Sequence, residues 1–418
     1  MSVKNHTLIR SLLDLRGNPR ACVYTEPLWG IPHSLYIPFV SVYMSALMMT
    51  DRHIGIVASA TMFSRAVFAM LSGAITDKLG RRKATIIFDL LSWSLPCLLW
   101  TFSQNFWWFM VAAAFNGMWQ ITENSWHCLL VEDADKKQMV NIYSWIHVAN
   151  QLAVFFAPLS ALIVGKMTII PAMRVLYFFS FLSMTAKFVI LYKYCTETEV
   201  GKVRLKETEG MSIPTILSGY GGIAKKVFAS PEMVFSLALN TLFTITSMVM
   251  QNFFGLYTTQ NLSIPQHYLA FFPIIRSAIV LFFLFFIQSR ITRFGYKAPM
   301  LVGILFYIAS HAVLILSPSA TMVTPVIYTV LEALAHALVM PRKDSILALF
   351  IDPKERARIT SVMTVIVLGI SIPFGYITGF MSDINRRLPF VLDIVIFVLA
   401  FFVIARSRKL SERNMESV

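Results

Sequence analysis

The chain has 418 residues, of which 56% are hydrophobic and only 14% charged. A soluble domain carries about 25% charged residues. Composition and a mean hydropathy of +0.66 therefore exclude a soluble enzyme and imply a multi-pass membrane protein with the lipid bilayer as its first partner. The net charge of +14 does not point to nucleic acid, because the cations stand in short connections between apolar runs and no basic surface domain exists.

The N-terminal tail, 1–28, is polar and carries Arg10, Arg16 and Arg20. It shows no cleavable signal peptide, so the first span is expected to act as its own signal. Twelve apolar runs follow, each near the roughly 20 residues that cross a bilayer. They are denoted α1 (29–49), α2 (54–74), α3 (84–102), α4 (106–131), α5 (139–165), α6 (170–192), α7 (231–255), α8 (268–289), α9 (299–317), α10 (322–346), α11 (359–381) and α12 (388–406). The fold class is all-α integral membrane. With the N-terminus inside, about 26 Lys and Arg residues fall in tails and inner loops, against Arg52, Lys166, Arg386 and Arg387 outside. Both termini are thus cytoplasmic, as is the tail 407–418, in a plasma-membrane protein. The longest inner connection, 193–230, mixes charges, carries Gly219-Tyr-Gly-Gly222 and reads as a linker with a short surface helix between bundles 29–192 and 231–406.

The loop after α2 reads Gly73-Ala-Ile-Thr-Asp77-Lys-Leu-Gly80-Arg81-Arg82-Lys83. Its glycines allow a tight turn and close helix approach, and Asp77 can pair with the arginines beside it. A worn second copy, Ser289 to Lys297 with Thr292 in place of the acid, follows α8. The end of α4 (Asn124 to Asp133) is likewise echoed at the end of α10 (Lys343 to Asp352), and Pro158 in α5 by Pro373 in α11. Such repetition is the mark of a transporter built from two similar halves.

The pattern G-x-x-x-D-K-x-G-R-R-K resembles the loop between helices 2 and 3 of the major facilitator superfamily, and with the repeats the resemblance extends over nearly the whole chain. It implies two pseudo-symmetric six-helix bundles, a monomeric carrier and a central cavity lined by α1, α4, α7 and α10. It also implies that Gly73, Asp77, Gly80, Arg81 and Arg82 form a cytoplasmic gate, closing against an acid at the inner end of α4, here Asp133, and the start of α11. Two departures weigh against a drug antiporter of the usual sort. The α4 run Phe115-Asn-Gly-Met-Trp-Gln120 lacks that group's arginine, and Phe155 to Ala161 in α5 lacks its glycines.

Polar residues inside spans are costly and default to functional candidates. In α4, Asn116, Gln120, Glu123 and His127 recur at helical spacing on one face, with Trp119 and Trp126 flanking it. Amides and a carboxylate beside indoles suit a hydroxylated solute, bonded at its polar groups and stacked on its apolar face; hydrogen bonding between helices is the competing reading. Tyr36 in α1, Asn240, Thr244 and Gln251 in α7, and Glu332 and His336 in α10 complete the candidate substrate contacts. Proton coupling needs a group whose charge changes, so Glu123 and Glu332 are the candidate carriers, with Arg65 and Arg276 as their ionic partners. Sodium coupling and facilitated diffusion stay open beside it. Cys22, Cys97, Cys128 and Cys195 show no paired spacing and read as small apolar residues. No metal spacing, phosphate loop or hydrolase constellation occurs, so no cofactor, metal or enzymatic activity is expected. The expected function is alternating-access, proton-coupled uptake of a small sugar-like solute. Efflux of amphipathic compounds and a non-transporting sensor on the same fold are the alternatives.

Overall fold

The computed structural model describes residues 12–134, 138–213, 220–291, 294–350 and 356–407, and every regular element among them is helical. Asp352, Thr292 and Gly219 lie outside the described residues. Among the described residues, ten helices are long and apolar enough to cross a membrane, from Asp51–Leu79 to Leu388–Arg406. The two remaining spans are interrupted. In α1, helices Pro27–Tyr36 and Val40–Ala46 are joined by a tighter turn, Ile37–Phe39, because Pro38 lacks the N–H that would continue the ladder. In α4, Phe106–Asn116 and Trp119–Val131 are separated at Gly117. There α2 approaches so closely that a Cβ on Gly117 would stand 2.2 Å from Ser64 Oγ. The α5 span resets likewise, between Met139–Val154 and Ala157–Lys166, just before Pro158.

Local chemistry starts the helices where the sequence suggests. Asn105 accepts from Trp107 N–H at the head of α4, and Ser230 accepts from Met233 N–H ahead of Pro231 in α7, each satisfying an orphan donor of the first turn. The linker forms two helices, Glu199–Glu207 and Tyr220–Ala229, and a further helix, Gly17–Thr25, precedes α1.

By packing, the chain divides into two units. Unit 1 holds residues 1–37, 60–163 and 170–221, and unit 2 holds 38–59, 164–169 and 222–418. The α1–α2 hairpin, residues 38–59, thus packs with the C-terminal helices, where a bundle boundary drawn only at the linker would not put it. The reason lies in three glycines. A Cβ on Gly55 would meet Gly375 O at 2.3 Å and Gly379 Cα at 2.7 Å, so α2 and α11 touch backbone to backbone. Asp51 closes this contact, accepting from Arg386 Nε at 2.9 Å and from Ser382 Oγ at 2.6 Å. Elsewhere in unit 2, Phe243, Met300, Ile304, Tyr307, Val339 and Phe397 form the apolar core, with Tyr307 and Phe397 stacked at 4.6 Å.

Candidate functional site

Unit 1 carries a seam of rings. Trp29 stacks on His33 at 4.8 Å and meets Trp93 edge-on at 5.1 Å. His33 leads to Tyr36 at 5.4 Å, and Tyr36 to Tyr177 at 4.9 Å. Tyr36 is only 2% exposed, so it builds the seam from within. From Trp93 the seam branches to Trp119 at 6.4 Å, whose face carries the Arg65 guanidinium at 4.7 Å, a cation–π geometry.

Arg65 and Glu123 are not directly paired. Gln120 stands between them: its Oε1 accepts from Arg65 Nε at 3.1 Å and Nη2 at 3.0 Å, and its Nε2 donates to Glu123 Oε2 at 2.8 Å. Gln120 is buried, whereas Glu123 is exposed. The expected ion pair is therefore a relay through an amide. Its physical origin is the helical step: Gln120 and Glu123 lie three residues apart, so one side chain covers the other. Asn116 is occupied otherwise. Its Nδ2 donates to the Ser92 carbonyl at 2.8 Å, which lies in the wide turn Leu90–Ser94 of α3; such π turns leave carbonyls without their usual helical partner. Trp126 Nε1 and His127 Nδ1 are buried without a protein hydrogen-bond partner among the described residues.

Three charged residues toward the loop end of unit 1 escaped the sequence reading as a group. Lys187 and Glu26 form a buried ion pair at 2.7 Å, with the ammonium 5.8 Å from the Trp29 ring and 5.4 Å from Trp126. Asp89, also buried, feels the charges of Lys187 and Glu26. Asp89 falls inside an apolar run, so the rule that flagged Glu123 flags it too.

Unit 2 repeats the theme of an arginine from its second helix facing polar groups of its fourth. Arg276 Nε donates to Glu332 Oε2 at 2.7 Å and Nη2 to Oε1 at 3.2 Å, and Nη2 also lies 2.9 Å from His336 Nδ1. Here the ion pair is direct and two-pronged. Asn240 accepts from Lys343 Nζ at 2.8 Å. Thr244 is half-buried and Gln251 exposed on the same helix. A second intramembrane acid, Asp393 in α12, likewise falls inside an apolar run. It is fully buried against His311, with Nε2 and Oδ2 3.4 Å apart.

The α2–α3 loop forms a compact ionic knot within unit 1. Arg81 Nε reaches both oxygens of Glu132, at 3.2 and 3.1 Å, and Nη1 donates to Asp77 at 2.9 Å. The acid from the end of α4 is thus Glu132 and not the expected Asp133, which points one position further round the turn and accepts from Glu199 N–H at 3.2 Å. Glu197, from the linker, accepts from the backbone N–H of Arg81 at 2.9 Å and of Arg82 at 3.1 Å, capping α3 with a negative charge at its positive end. Gly80 makes this possible. Its φ is +82°, and a Cβ would stand 2.5 Å from Glu197 Oε2. Arg82 covers the Tyr192 ring at 4.7 Å, and Gly73 lies within α2. The side chains at the start of α11 lie outside the described ones.

This is the fold of a multi-pass transporter with a charged loop motif and intramembrane polar clusters. The family model of the Major Facilitator Superfamily matches residues 30–287, and the chain belongs to that family of transporters. The fold is similar to the nucleoside transporter NupG, with a TM-score of 0.69 at 16% identity over 94% of this chain and 100% of that one. It is also similar to a peptide transporter, POT, in complex with sulfate (0.70, 13%, 97% and 99%) and to the human organic anion transporter MFSD10 (0.58, 14%, 97% and 100%). No curated protein matches the sequence significantly.

Proposed function

We propose that this transporter takes up a small polar solute bearing a hydroxylated ring, sugar-like in character, together with a proton, as a monomer in the plasma membrane with both termini in the cytoplasm. The observation that carries the reading is the Arg65–Gln120–Glu123 relay beside Trp119. It offers a donor, an acceptor and a stacking face within one helical turn, the combination that binds hydroxyls on one side of a ring and C–H groups on the other. Trp126 Nε1 and His127 Nδ1 are further polar atoms that a solute can satisfy, since an unpaired buried donor costs about 1–3 kcal/mol.

Glu123 is the proton carrier in this reading. An amide holds it, so it gains and loses charge without breaking an ion pair, whereas a proton on Glu332 would have to break its two-pronged bond to Arg276. The solute and proton are carried by alternating access, a two-state equilibrium that each ligand biases. The nucleoside carrier among the similar folds makes ribosyl compounds the natural first members of a ligand panel.

The test is thermal unfolding of the detergent-purified protein against sugars, nucleosides, amino acids, organic anions and lipophilic cations, because a ligand of the folded state raises the melting temperature by mass action. Hits then go to flux in proteoliposomes with and without a proton gradient. Stabilisation by one ring-bearing solute family, lost in Trp119→Ala, supports uptake. Stabilisation by lipophilic cations alone turns the assignment to efflux, and unchanged proton-driven accumulation by Glu123→Gln overturns the coupling site.

A further inference from the structure

The helix Gly17–Thr25 is fastened to the end of α6 by a reciprocal pair of hydrogen bonds. Asn18 Nδ2 donates to the Thr196 carbonyl at 2.9 Å, and Thr196 N–H donates to Asn18 Oδ1 at 2.9 Å. Cys22 lies one turn beyond Asn18, on the same face, and Cys195 immediately precedes Thr196. The bracket makes the two thiols neighbours, each shifting the other's titration, although 172 residues of sequence separate them and no motif announces the pair. Cys22 is fully buried and Cys195 is 2% exposed. The other two cysteines differ: Cys97 lies against the thioether of Met184 at 4.0 Å, and Cys128 sits on the α4 helix.

We propose that Cys22 and Cys195 are a thiol–disulfide site, at which a peroxide joins the N-terminal helix covalently to the end of α6. The inference stands on this bracket alone and is independent of what the carrier transports.

The two thiols are not equivalent. The neighbouring Cys22 thiol lowers the Cys195 thiol below its ordinary range; burial opposes this and the charge of Arg82 assists it. Cys22 is raised well above that range by Cys195 and by its burial. Cys195 is thus the thiolate and the nucleophile. Its sulfur attacks one peroxide oxygen, the O–O bond breaks, hydroxide leaves, and Cys195 becomes a sulfenic acid. Cys22 sulfur then attacks Cys195 sulfur. The S–O bond breaks, the second hydroxide leaves, and the protons freed from the two thiols convert both hydroxides to water. Two thiols and one peroxide give one disulfide and two waters, with two electrons passing from sulfur to oxygen.

The bond would enclose the whole of α1 to α6 in one covalent loop. It would also pin the residue two positions before Glu197, the carboxylate that caps α3 at the Arg81–Glu132 knot, so oxidation bears directly on the loop motif.

The experiment uses the full-length, detergent-purified protein and hydrogen peroxide. After quenching, thiols are counted with a maleimide in denaturant and peptides are mapped without reduction. The expected result is a fall from four reactive thiols to two, a single linked peptide pair containing Cys22 and Cys195, and full reversal by dithiothreitol. Four remaining thiols, a linked pair involving Cys97 or Cys128, or covalent dimers between chains would each overturn the proposal. In Cys22→Ala, peroxide must instead leave a Cys195 sulfenic acid that dimedone traps; a disulfide persisting in that variant also overturns it. The wild-type map alone decides the matter if the variant does not fold.

Discussion

Gly201 in the linker helix sets two physical effects against each other. In an ordinary exposed helix, glycine to alanine gains about 1 kcal/mol. Here a Cβ on Gly201 would stand 2.0 Å from Glu197 Oε1 and 2.9 Å from Arg81 Cδ. That oxygen is the flexible end of a side chain, but it is not free to move. Its carboxylate holds the N–H groups of Arg81 and Arg82, at 2.9 and 3.1 Å. Displacing it forfeits the cap of α3, worth about 1–2 kcal/mol, and disturbs the guanidinium that binds Glu132 and Asp77. The loss outweighs the gain, so Gly201→Ala should destabilise by about 1 kcal/mol, a fall of roughly 2–4 °C in apparent melting temperature if unit 1, of about 200 residues, unfolds as one body. The double-mutant cycle sharpens the test. Glu197→Ala removes both the cap and the nearer obstacle, leaving only the Arg81 side chain to give way slightly, and in that background Gly201→Ala should raise the melting temperature, as helix propensity demands. Scanning fluorimetry of the four purified proteins reads all of this. A wild-type background stabilised by Gly201→Ala, or the same loss in both backgrounds, refutes the reasoning.

Four further outcomes follow from the same geometry. Glu332→Gln should lower stability by about 1 kcal/mol, a modest figure because Arg276 is 41% exposed and solvent screens the pair; thermal unfolding measures it. Gly55→Ala should cost about 1–3 kcal/mol by overpacking, since the carbonyl of Gly375 and the backbone of Gly379 cannot give way as a side chain can, and no loss in melting temperature would deny the backbone contact. Gln120→Ala, which strips Arg65 of its acceptor and Glu123 of its donor, should weaken binding of whatever solute stabilises the wild type about tenfold, or 1.4 kcal/mol, in a thermal-shift titration. Finally, Cys22→Ala removes the neighbouring thiol that holds the Cys195 thiol low, so the pH at which Cys195 reacts half-maximally with a maleimide should move upward; an unmoved midpoint would show that the two thiols do not interact.

Most of the architecture was legible because its signal is strong. Runs of about 20 apolar residues have few alternatives in a bilayer, and the ends of α3, α4, α6, α7 and α12 fall within a few residues of expectation. The breaks in α1 and α4 were not, since proline and glycine are common in spans and only the neighbouring helix determines whether one interrupts. At the site, periodicity put Gln120 and Glu123 on one face but could not say that the amide would come between Arg65 and Glu123, a matter of side-chain direction rather than spacing. The choice of Glu132 over Asp133 is a difference of about 100° around a helix end, finer than a sequence boundary can resolve. Glu197 and the Cys22–Cys195 bracket depend on chain segments brought together only by folding. Asp89 and Asp393 were within reach, as acids inside apolar runs, and went unused.

The ring seam has an optical consequence. All eight tryptophans, Trp29, Trp93, Trp100, Trp107, Trp108, Trp119, Trp126 and Trp145, fall within unit 1, and unit 2 has none. Indole emission excited near 295 nm is therefore a built-in probe of one half of the molecule, with no label needed and no background from the other. A solute seated at Trp119 should alter the quantum yield directly, while events confined to the Arg276–Glu332 region should leave the spectrum dark to them. A single tryptophan introduced on the C-terminal side would turn the silent half into a second, separable channel.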